Sequence, residues 1–191
     1  MIGDREMAAT RTRSKQRRLV GIGVVAALVI AGLLVISLVS SGTAGRDPSV
    51  ARTGPPAPGL SFEMFDGSTA TLADYQGRPL VVNFWASWCP SCVAEMSAAF
   101  RPVQQRLGDE VAFLGMNIQD RRGPALELVE ETGVLFDLAE DPDGELYVEL
   151  GGLGMPFTVF ISEDGEVLEK HNGPLTEGQL EDMISEVLLA A

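Results

Sequence analysis

The chain reads Pro79-Leu-Val-Val-Asn-Phe-Trp85 and continues with Ala86-Ser-Trp-Cys-Pro-Ser-Cys92. An unbroken apolar run of this length is typical of a strand that is buried on both faces of a sheet. Pro90 suits the first turn of a helix, which we expect to extend to about Leu107 with a kink or a break at Pro102. The stretch therefore predicts a buried strand that leads into a helix, with a Cys-x-x-Cys pair at the junction.

The two cysteines at this junction predict redox chemistry. Cys89 lies at the expected helix N-terminus, where free N–H groups and the helix dipole favour a thiolate. Cys92 lies one turn further, close enough to break a mixed disulfide formed at Cys89. A structural disulfide is the alternative, but so small a loop constrains the unfolded chain little. A zinc site lacks ligands, because the chain has only two cysteines and one histidine.

Strand and helix patterns alternate through the rest of the sequence. A hairpin is expected around Asp66-Gly67, which suits a tight turn. The other predicted strands are 111–117, 134–138, 157–161 and 166–170, and the other predicted helices are 124–131, 142–150 and 176–189. This alternation predicts an α/β fold in which helices cover both faces of a mixed sheet.

The N-terminal region has a separate organisation. Residues 1–18 form a basic head with six bases and two acids, and residues 19–39 contain Ser37 as their only polar residue. As a helix, this second segment spans about 31 Å, which is enough to cross the hydrocarbon core of a membrane. Since the bases precede it, we expect an uncleaved anchor with a cytoplasmic N-terminus, and a cleaved signal peptide is the alternative.

Two regions of different composition follow the predicted anchor. Residues 40–59 are rich in Gly, Ser, Pro and Ala and predict a flexible tether. Residues 60–191 suit one globular domain. The expected arrangement is a single-pass protein of the cell membrane whose domain is extracytoplasmic.

The charge distribution excludes one class of partner. The net charge is −13, and seventeen acids but only one base, Lys170, follow Arg122. Such a surface repels phosphates, so we expect no nucleic-acid partner. The acids from Asp137 to Glu149 lack the spacing of an EF-hand loop and predict a solvated face rather than a calcium site. We expect His171 on the surface, near the end of the sheet opposite the cysteines.

Three segments carry a family resemblance: residues 82–92, Gly154-Met-Pro156 and Asp164-Gly165. There the chain resembles the thioredoxin superfamily, and within it the membrane-anchored, extracytoplasmic branch that includes TlpA, ResA and CcmG/DsbE. The resemblance extends from about Leu60 to Leu189 and implies a thioredoxin-like fold. Cytoplasmic thioredoxin has a buried Asp where this chain has Asn83, which we expect to be hydrogen-bonded in the core.

The resemblance also implies a client-binding groove. Pro156 is expected to follow a cis peptide bond beside the cysteines and to bar metal ions from the thiols. The backbone of Met155 is then expected to pair with an extended client as an added strand. Trp88, Pro90 and Ser91 are expected to border the same client.

Glu95 is the third residue for which the resemblance implies a chemical role, after the two cysteines. It follows Cys92 by three residues and therefore lies on the same helical face. If buried, its carboxyl has a raised pKa and accepts the proton of the Cys92 thiol. A solvated glutamate that only benefits from the helix dipole is the alternative.

The implied function is a thiol–disulfide oxidoreductase that needs no bound cofactor, in which Cys89 attacks and Cys92 resolves. We expect it to reduce protein disulfides, with apocytochrome c cysteines among its clients and a membrane thiol-transfer protein as its electron donor. A peroxiredoxin-like peroxidase is one alternative, although Ala86 stands where those enzymes usually have Thr. A non-catalytic client-binding module with idle thiols is the other.

Overall fold

The computed structural model describes residues 54–190 of the chain. The predicted basic head, the predicted transmembrane helix and most of the predicted tether lie outside these residues. Among residues 54–190, no helix combines the length and the apolar character that crossing a membrane requires.

Seven strands within residues 54–190 form one mixed sheet, in the order β2-β1-β5-β4-β3-β6-β7. The strands are β1 (Ser61–Met64), β2 (Thr69–Thr71), β3 (Leu80–Trp85), β4 (Ala112–Ile118), β5 (Asp137–Asp141), β6 (Phe157–Ile161) and β7 (Val167–Asn172). The three central strands β5, β4 and β3 run parallel. The outer strands pair antiparallel with their neighbours, which confirms the predicted mixed sheet.

In the part of the chain that the structure describes, five α-helices and three other helical segments surround the sheet. The α-helices are α1 (Pro90–Glu95), α2 (Arg101–Leu107), α3 (Arg122–Thr132), α4 (Glu145–Glu149) and α5 (Glu177–Met183). A 3-10 helix spans Leu72–Tyr75, and π-helical segments span Met96–Phe100 and Ile184–Leu188. The predicted cap of the last helix is present, because the Thr176 hydroxyl accepts the N–H of Gln179.

The core has two halves, one on each face of the sheet. All six residues of β3 are buried, which explains the unbroken apolar run in the sequence. Val81 and Trp85 pack in the half covered by α1, α2, α3 and α5, whereas Val82 and Phe84 pack in the half covered by α4 and the 3-10 helix. Helices therefore cover both faces, as predicted, and β3 lies at the centre with its C-terminal end leading to Cys89.

The break expected at Pro102 takes the form of a π-helical segment. The N–H of Arg101 bonds to the carbonyl of Met96, five residues earlier. Pro102 has no N–H to donate, and the wider turn ahead of it accommodates the proline. The helical run from Pro90 to Leu107 is therefore continuous.

Two predicted elements were wrongly placed. The strand predicted over 134–138 is found at Asp137–Asp141, because pairing with β4 and β1 buries Ala139 and outweighs the apolar run before it. The helix predicted over 142–150 begins only at Glu145. The chain first turns through Gly144, whose φ is +72°, and the Asp141 carboxylate then accepts the N–H of Tyr147 at 2.9 Å.

The end of the predicted tether belongs to the domain. The Ala57 N–H donates to the carbonyl of Gly165 and the Val167 N–H donates to the carbonyl of Pro55, each at 2.8 Å. These bonds attach the segment to the start of β7, so ordered contacts begin before residue 60.

Candidate active site

The cysteine pair lies where β3 gives way to α1. Cys89 caps the helix, and its Sγ accepts the N–H of Cys92 at 3.2 Å. Pro90 is the first residue of α1, and the Ser91 hydroxyl lies 3.5 Å from the Cys89 sulfur. Cys89 and Cys92 form a disulfide with their Cα atoms 5.3 Å apart. The predicted placement of the first cysteine at a helix N-terminus is confirmed.

The two sulfur-bearing residues are buried, but their neighbour Trp88 is 56% exposed. Its indole N–H donates to the carbonyl of Gln119 at 3.0 Å, which ties the ring to the loop after β4. Trp88 thus presents a flat apolar surface directly beside Cys89.

The loop before β6 reaches the same edge of the sheet. The Met155–Pro156 peptide bond is cis, as the resemblance implied. Phe157, the next residue, pairs with Phe84 near the end of β3, so Pro156 lies at the edge that carries the cysteines. In the same loop, Leu153 is 88% exposed.

Glu95 lies inside the protein, with only 3% of its surface exposed. Burial raises the pKa of its carboxyl to about 7, although two hydrogen bonds oppose the shift. These bonds come from the Leu175 N–H at 2.7 Å and from the side-chain amide of Asn83 at 3.0 Å. The expected burial and raised pKa are confirmed, the solvated alternative is wrong, and Asn83 is the hydrogen-bonded core residue that was predicted.

Asp120 is a site residue that the sequence reasoning missed. Its carboxylate accepts the Ser87 N–H at 2.5 Å, the Ser87 hydroxyl at 2.8 Å and the Asn117 amide at 3.1 Å. Partial burial raises its pKa, but these bonds outweigh burial and hold the pKa of Asp120 below its ordinary value. The sequence does place an acidic residue just after β4. This position could have identified Asp120, because the carboxyl ends of parallel strands meet at one edge of the sheet.

His171 was placed at the wrong end of the sheet. It lies within β7 and pairs with Thr158, two residues after Pro156. Because β7 runs antiparallel to β6, its C-terminal end reaches the edge that carries the cysteines. His171 is half-buried there rather than distant from the site.

The acidic segment from Asp137 to Glu149 has a structural role at its centre. Asp141 is buried and accepts backbone N–H groups of α4, including that of Leu146. Across residues 54–190, no group of three or more His, Cys, Asp or Glu side chains is arranged to hold a metal ion.

The profile of the redoxin family matches residues 52–187. The chain belongs to the redoxin family. The thiol:disulfide interchange protein DsbE of Xylella fastidiosa is 30% identical over 171 residues, which cover 87% of this chain and 84% of that protein. The thiol–disulfide oxidoreductase ResA of Oceanobacillus iheyensis is 32% identical over 170 residues, covering 84% of each chain.

The fold comparison agrees with these relatives. A crystal structure described as a thiol:disulfide interchange protein DsbE from Chlorobium tepidum matches this redoxin with a TM-score of 0.63 and 26% identity, over 70% of this chain and 96% of that one. This redoxin therefore has a thioredoxin-like fold, resembles the DsbE and ResA branch and is a thiol–disulfide oxidoreductase. The names of these relatives favour thiol–disulfide exchange over both alternatives, the thiol peroxidase and the non-catalytic module.

Proposed function

We propose that this redoxin reduces disulfides in extracytoplasmic client proteins. The observation that carries the direction is the pair of carboxyl groups around the cysteines. Asp120 binds Ser87, two residues before Cys89, and Glu95 lies within α1, three residues after Cys92. Negative charge near a thiol disfavours its thiolate, and a less stable thiolate gives a more reducing pair.

The proposed reaction begins when the Cys89 thiolate attacks one sulfur of a client disulfide. The client S–S bond breaks, its second sulfur leaves as a thiolate and takes a proton from water, and a mixed disulfide forms. The Cys92 thiol then gives its proton to the Glu95 carboxylate, and the Cys92 thiolate attacks the Cys89 sulfur. The first client sulfur leaves, so the client gains two electrons and the redoxin ends with the Cys89–Cys92 disulfide.

The client lies, in this proposal, in the groove beside Pro156. The backbone of Met155 pairs with an extended client segment, and Trp88 contributes a flat contact surface. Pro90 and Ser91 border the segment from the start of α1. The position of Pro156 at the edge that carries the cysteines and the exposure of Trp88 support this placement.

Residues 19–39 anchor the protein in the proposed topology, with the domain outside the cytoplasm. Their apolar composition and the bases before them support it. The alignment with the Xylella DsbE covers 87% of the chain, which is more than residues 54–191, so the likeness extends into the N-terminal region. A membrane thiol-transfer protein re-reduces the pair, and the cysteines of apocytochrome c are among the clients.

A trapping experiment tests the reaction. In the full chain, Cys92→Ala removes the resolving thiol and leaves Cys89 able to attack, so a covalent complex that reductant dissolves should accumulate in cells. Cys89→Ala is the control and should trap little, because Cys92 is 1% exposed. If Cys92→Ala traps no protein while the wild type still cycles between reduced and oxidised forms, the proposed exchange with protein clients is wrong.

A reporter fusion tests the topology separately. An enzyme that is active only outside the cytoplasm, fused after Ala191, should be active in cells. Activity of a cytoplasm-only reporter at the same position would contradict the proposed location and the proposed electron donor.

A further inference from the structure

Asn83 holds the carboxyl of Glu95 from the centre of the sheet. Its side-chain nitrogen donates to Glu95 Oε1 at 3.0 Å and to the Thr158 hydroxyl oxygen at 3.2 Å. Thr158 is the direct partner of Asn83 across β3 and β6, and all three residues are buried. Both amide hydrogens are therefore directed at buried acceptors, one of them the carboxyl of Glu95.

The other end of the amide has no such partner. The Asn83 side-chain oxygen is buried and accepts no hydrogen bond from any of residues 54–190. An unpaired buried acceptor loses its hydrogen bonds to water without replacing them, and an apolar side chain of similar size avoids that cost. Packing alone thus favours leucine at this position. The asparagine amide donates a hydrogen bond to Glu95, and a leucine side chain has no donor for such a bond.

We propose that Asn83 is a positioning residue for thiol–disulfide exchange, because its side-chain amide fixes the Glu95 carboxyl and stabilises the carboxylate that accepts a proton. This inference rests on the proposed role of Glu95 as the acceptor of the Cys92 proton. Asn83 touches neither client nor sulfur in this scheme, and it acts only through Glu95.

The physical basis is a balance between burial and hydrogen bonding. Burial favours the neutral acid, which has no capacity to accept a proton from Cys92. Donated N–H groups favour the carboxylate, and Glu95 receives two, from Asn83 and from Leu175. A neutral amide supplies this stabilisation without a positive charge. A positively charged side chain in its place would hold Glu95 ionised across the whole pH range.

The surroundings of Glu95 add no competing charge. Within residues 54–190, the shift of its pKa comes from burial and from its bonds to Leu175 and Asn83, with no contribution from a charged side chain. β3 presents the Asn83 amide, and the segment after β7 presents the backbone N–H of Leu175. On its own helix, the other residue that titrates, once the disulfide is reduced, is Cys92, three residues before Glu95.

The first test titrates Glu95 in the oxidised full chain, where neither thiol ionises. Infrared spectroscopy follows the C=O stretch of the protonated carboxyl, which is identified by its loss in Glu95→Gln. Asn83→Leu should move the midpoint upward by about one pH unit or more, since a hydrogen bond to a charged group is worth about 1.5–3 kcal/mol. Thr158→Val removes the other acceptor of Asn83. This variant should move the midpoint of the Glu95 titration by less than half as much as Asn83→Leu.

An unchanged midpoint in Asn83→Leu, or an equal shift in Thr158→Val, would overturn the inference. Asn83→Asp guards against misfolding of the leucine variant, because it preserves the size of the side chain. Two carboxyls that face each other share one proton, so this variant should keep a protonated carboxyl to a higher pH than the wild type. A single unshifted midpoint in Asn83→Asp would also overturn it.

The second test measures the resolving step itself. The release of a small thiol from a mixed disulfide at Cys89 is timed across pH 6 to 9. Asn83→Leu should slow the step about fivefold or more at pH 7 and recover at high pH, whereas equal slowing at every pH would indicate a merely structural role. The carboxyl titration needs no client, so it decides the role of Asn83 even if the proposed clients or direction are wrong.

Discussion

The Asp120 carboxylate holds Ser87 by two hydrogen bonds, at 2.5 Å from its N–H and 2.8 Å from its hydroxyl. Ser87 belongs to the turn between β3 and Cys89, and Asp120 belongs to the loop after β4. The two loops at the C-terminal ends of adjacent parallel strands are thereby joined beside the cysteine pair.

Asp120→Ala should lower the free energy of unfolding by about 1–3 kcal/mol at pH 7, because it leaves the Ser87 N–H without its acceptor. The folded-state pKa of Asp120 is lowered, so its contribution is present above about pH 4 and is lost as pH falls through the folded-state pKa. Denaturant unfolding at pH 7 and at pH 3 measures the difference. Equal stability of variant and wild type at pH 7 would contradict this prediction.

Asp120→Asn keeps an acceptor for Ser87 and removes the charge. Since the proposed reducing character depends on negative charge near Cys89, the reduction potential should rise by about 10–30 mV. Equilibration with glutathione at pH 7 measures the potential. A potential that stays the same or falls would remove the electrostatic support for the reductase direction.

Glu95→Gln should remove the loss of stability that Glu95 causes as pH rises from about 4 to about 7. The folded-state pKa is about 7, above the ordinary value, so the folded chain holds an extra proton between about pH 4 and 7. The contribution of Glu95 is fully present below about pH 4 and is lost as pH rises through about 7. Relative to the wild type, the variant should gain about 3 kcal/mol between pH 4 and pH 8.

Unfolding by denaturant at both pH values measures this gain, and any fixed effect of the glutamine cancels in the comparison. A variant whose stability differs from that of the wild type by the same amount at pH 4 and pH 8 would show that Glu95 is not the buried acid described.

The elements around the cysteines were predictable because local signals agreed there. The apolar run of β3, the proline at the first turn of α1 and the cysteine spacing all favour one strand–turn–helix unit. β5 was misplaced because its residues alternate between buried and exposed, and only pairing with β1 and β4 identifies them.

The long-range contacts of the site were less predictable. Glu95 was identified from its spacing to Cys92, but the Leu175 N–H that binds it is 80 residues away. Asp120 is likewise 33 residues from Ser87. His171 was misplaced although a turn at Asp164-Gly165 was recognisable in the sequence, because antiparallel pairing with β6 returns the end of β7 to the edge at which β6 begins.

Ser91→Ala should make the cysteine pair more reducing. The Ser91 hydroxyl lies 3.5 Å from the Cys89 sulfur, where it stabilises a thiolate by donating to it. Loss of that donor should lower the reduction potential by about 10–30 mV. Ser91→Thr keeps the hydroxyl and should stay close to the wild type, and an identical shift in both variants would assign the effect to packing.

Leu153→Ser should weaken exchange with protein clients while sparing small disulfides. Leu153 is 88% exposed and lies three residues before Pro156, so the proposed client is the partner available to cover it. Burial of a leucine side chain is worth about 1.5–3 kcal/mol, which predicts a rise in KM for a protein client of about tenfold. The kcat/KM for glutathione disulfide should stay unchanged, as should the unfolding free energy, to within about 0.5 kcal/mol.

Leu135→Ser is the matched control for this variant. Leu135 is 64% exposed and precedes β5. The first residue of β5 lies near the start of the parallel strand β3, at the edge of the sheet away from the cysteine pair. Leu135→Ser should therefore leave exchange with the protein client and with glutathione disulfide unchanged. If Leu153→Ser slows glutathione disulfide as much as the protein client, Leu153 acts on the cysteine pair rather than on the client, and the groove does not extend beyond Pro156 toward Leu153.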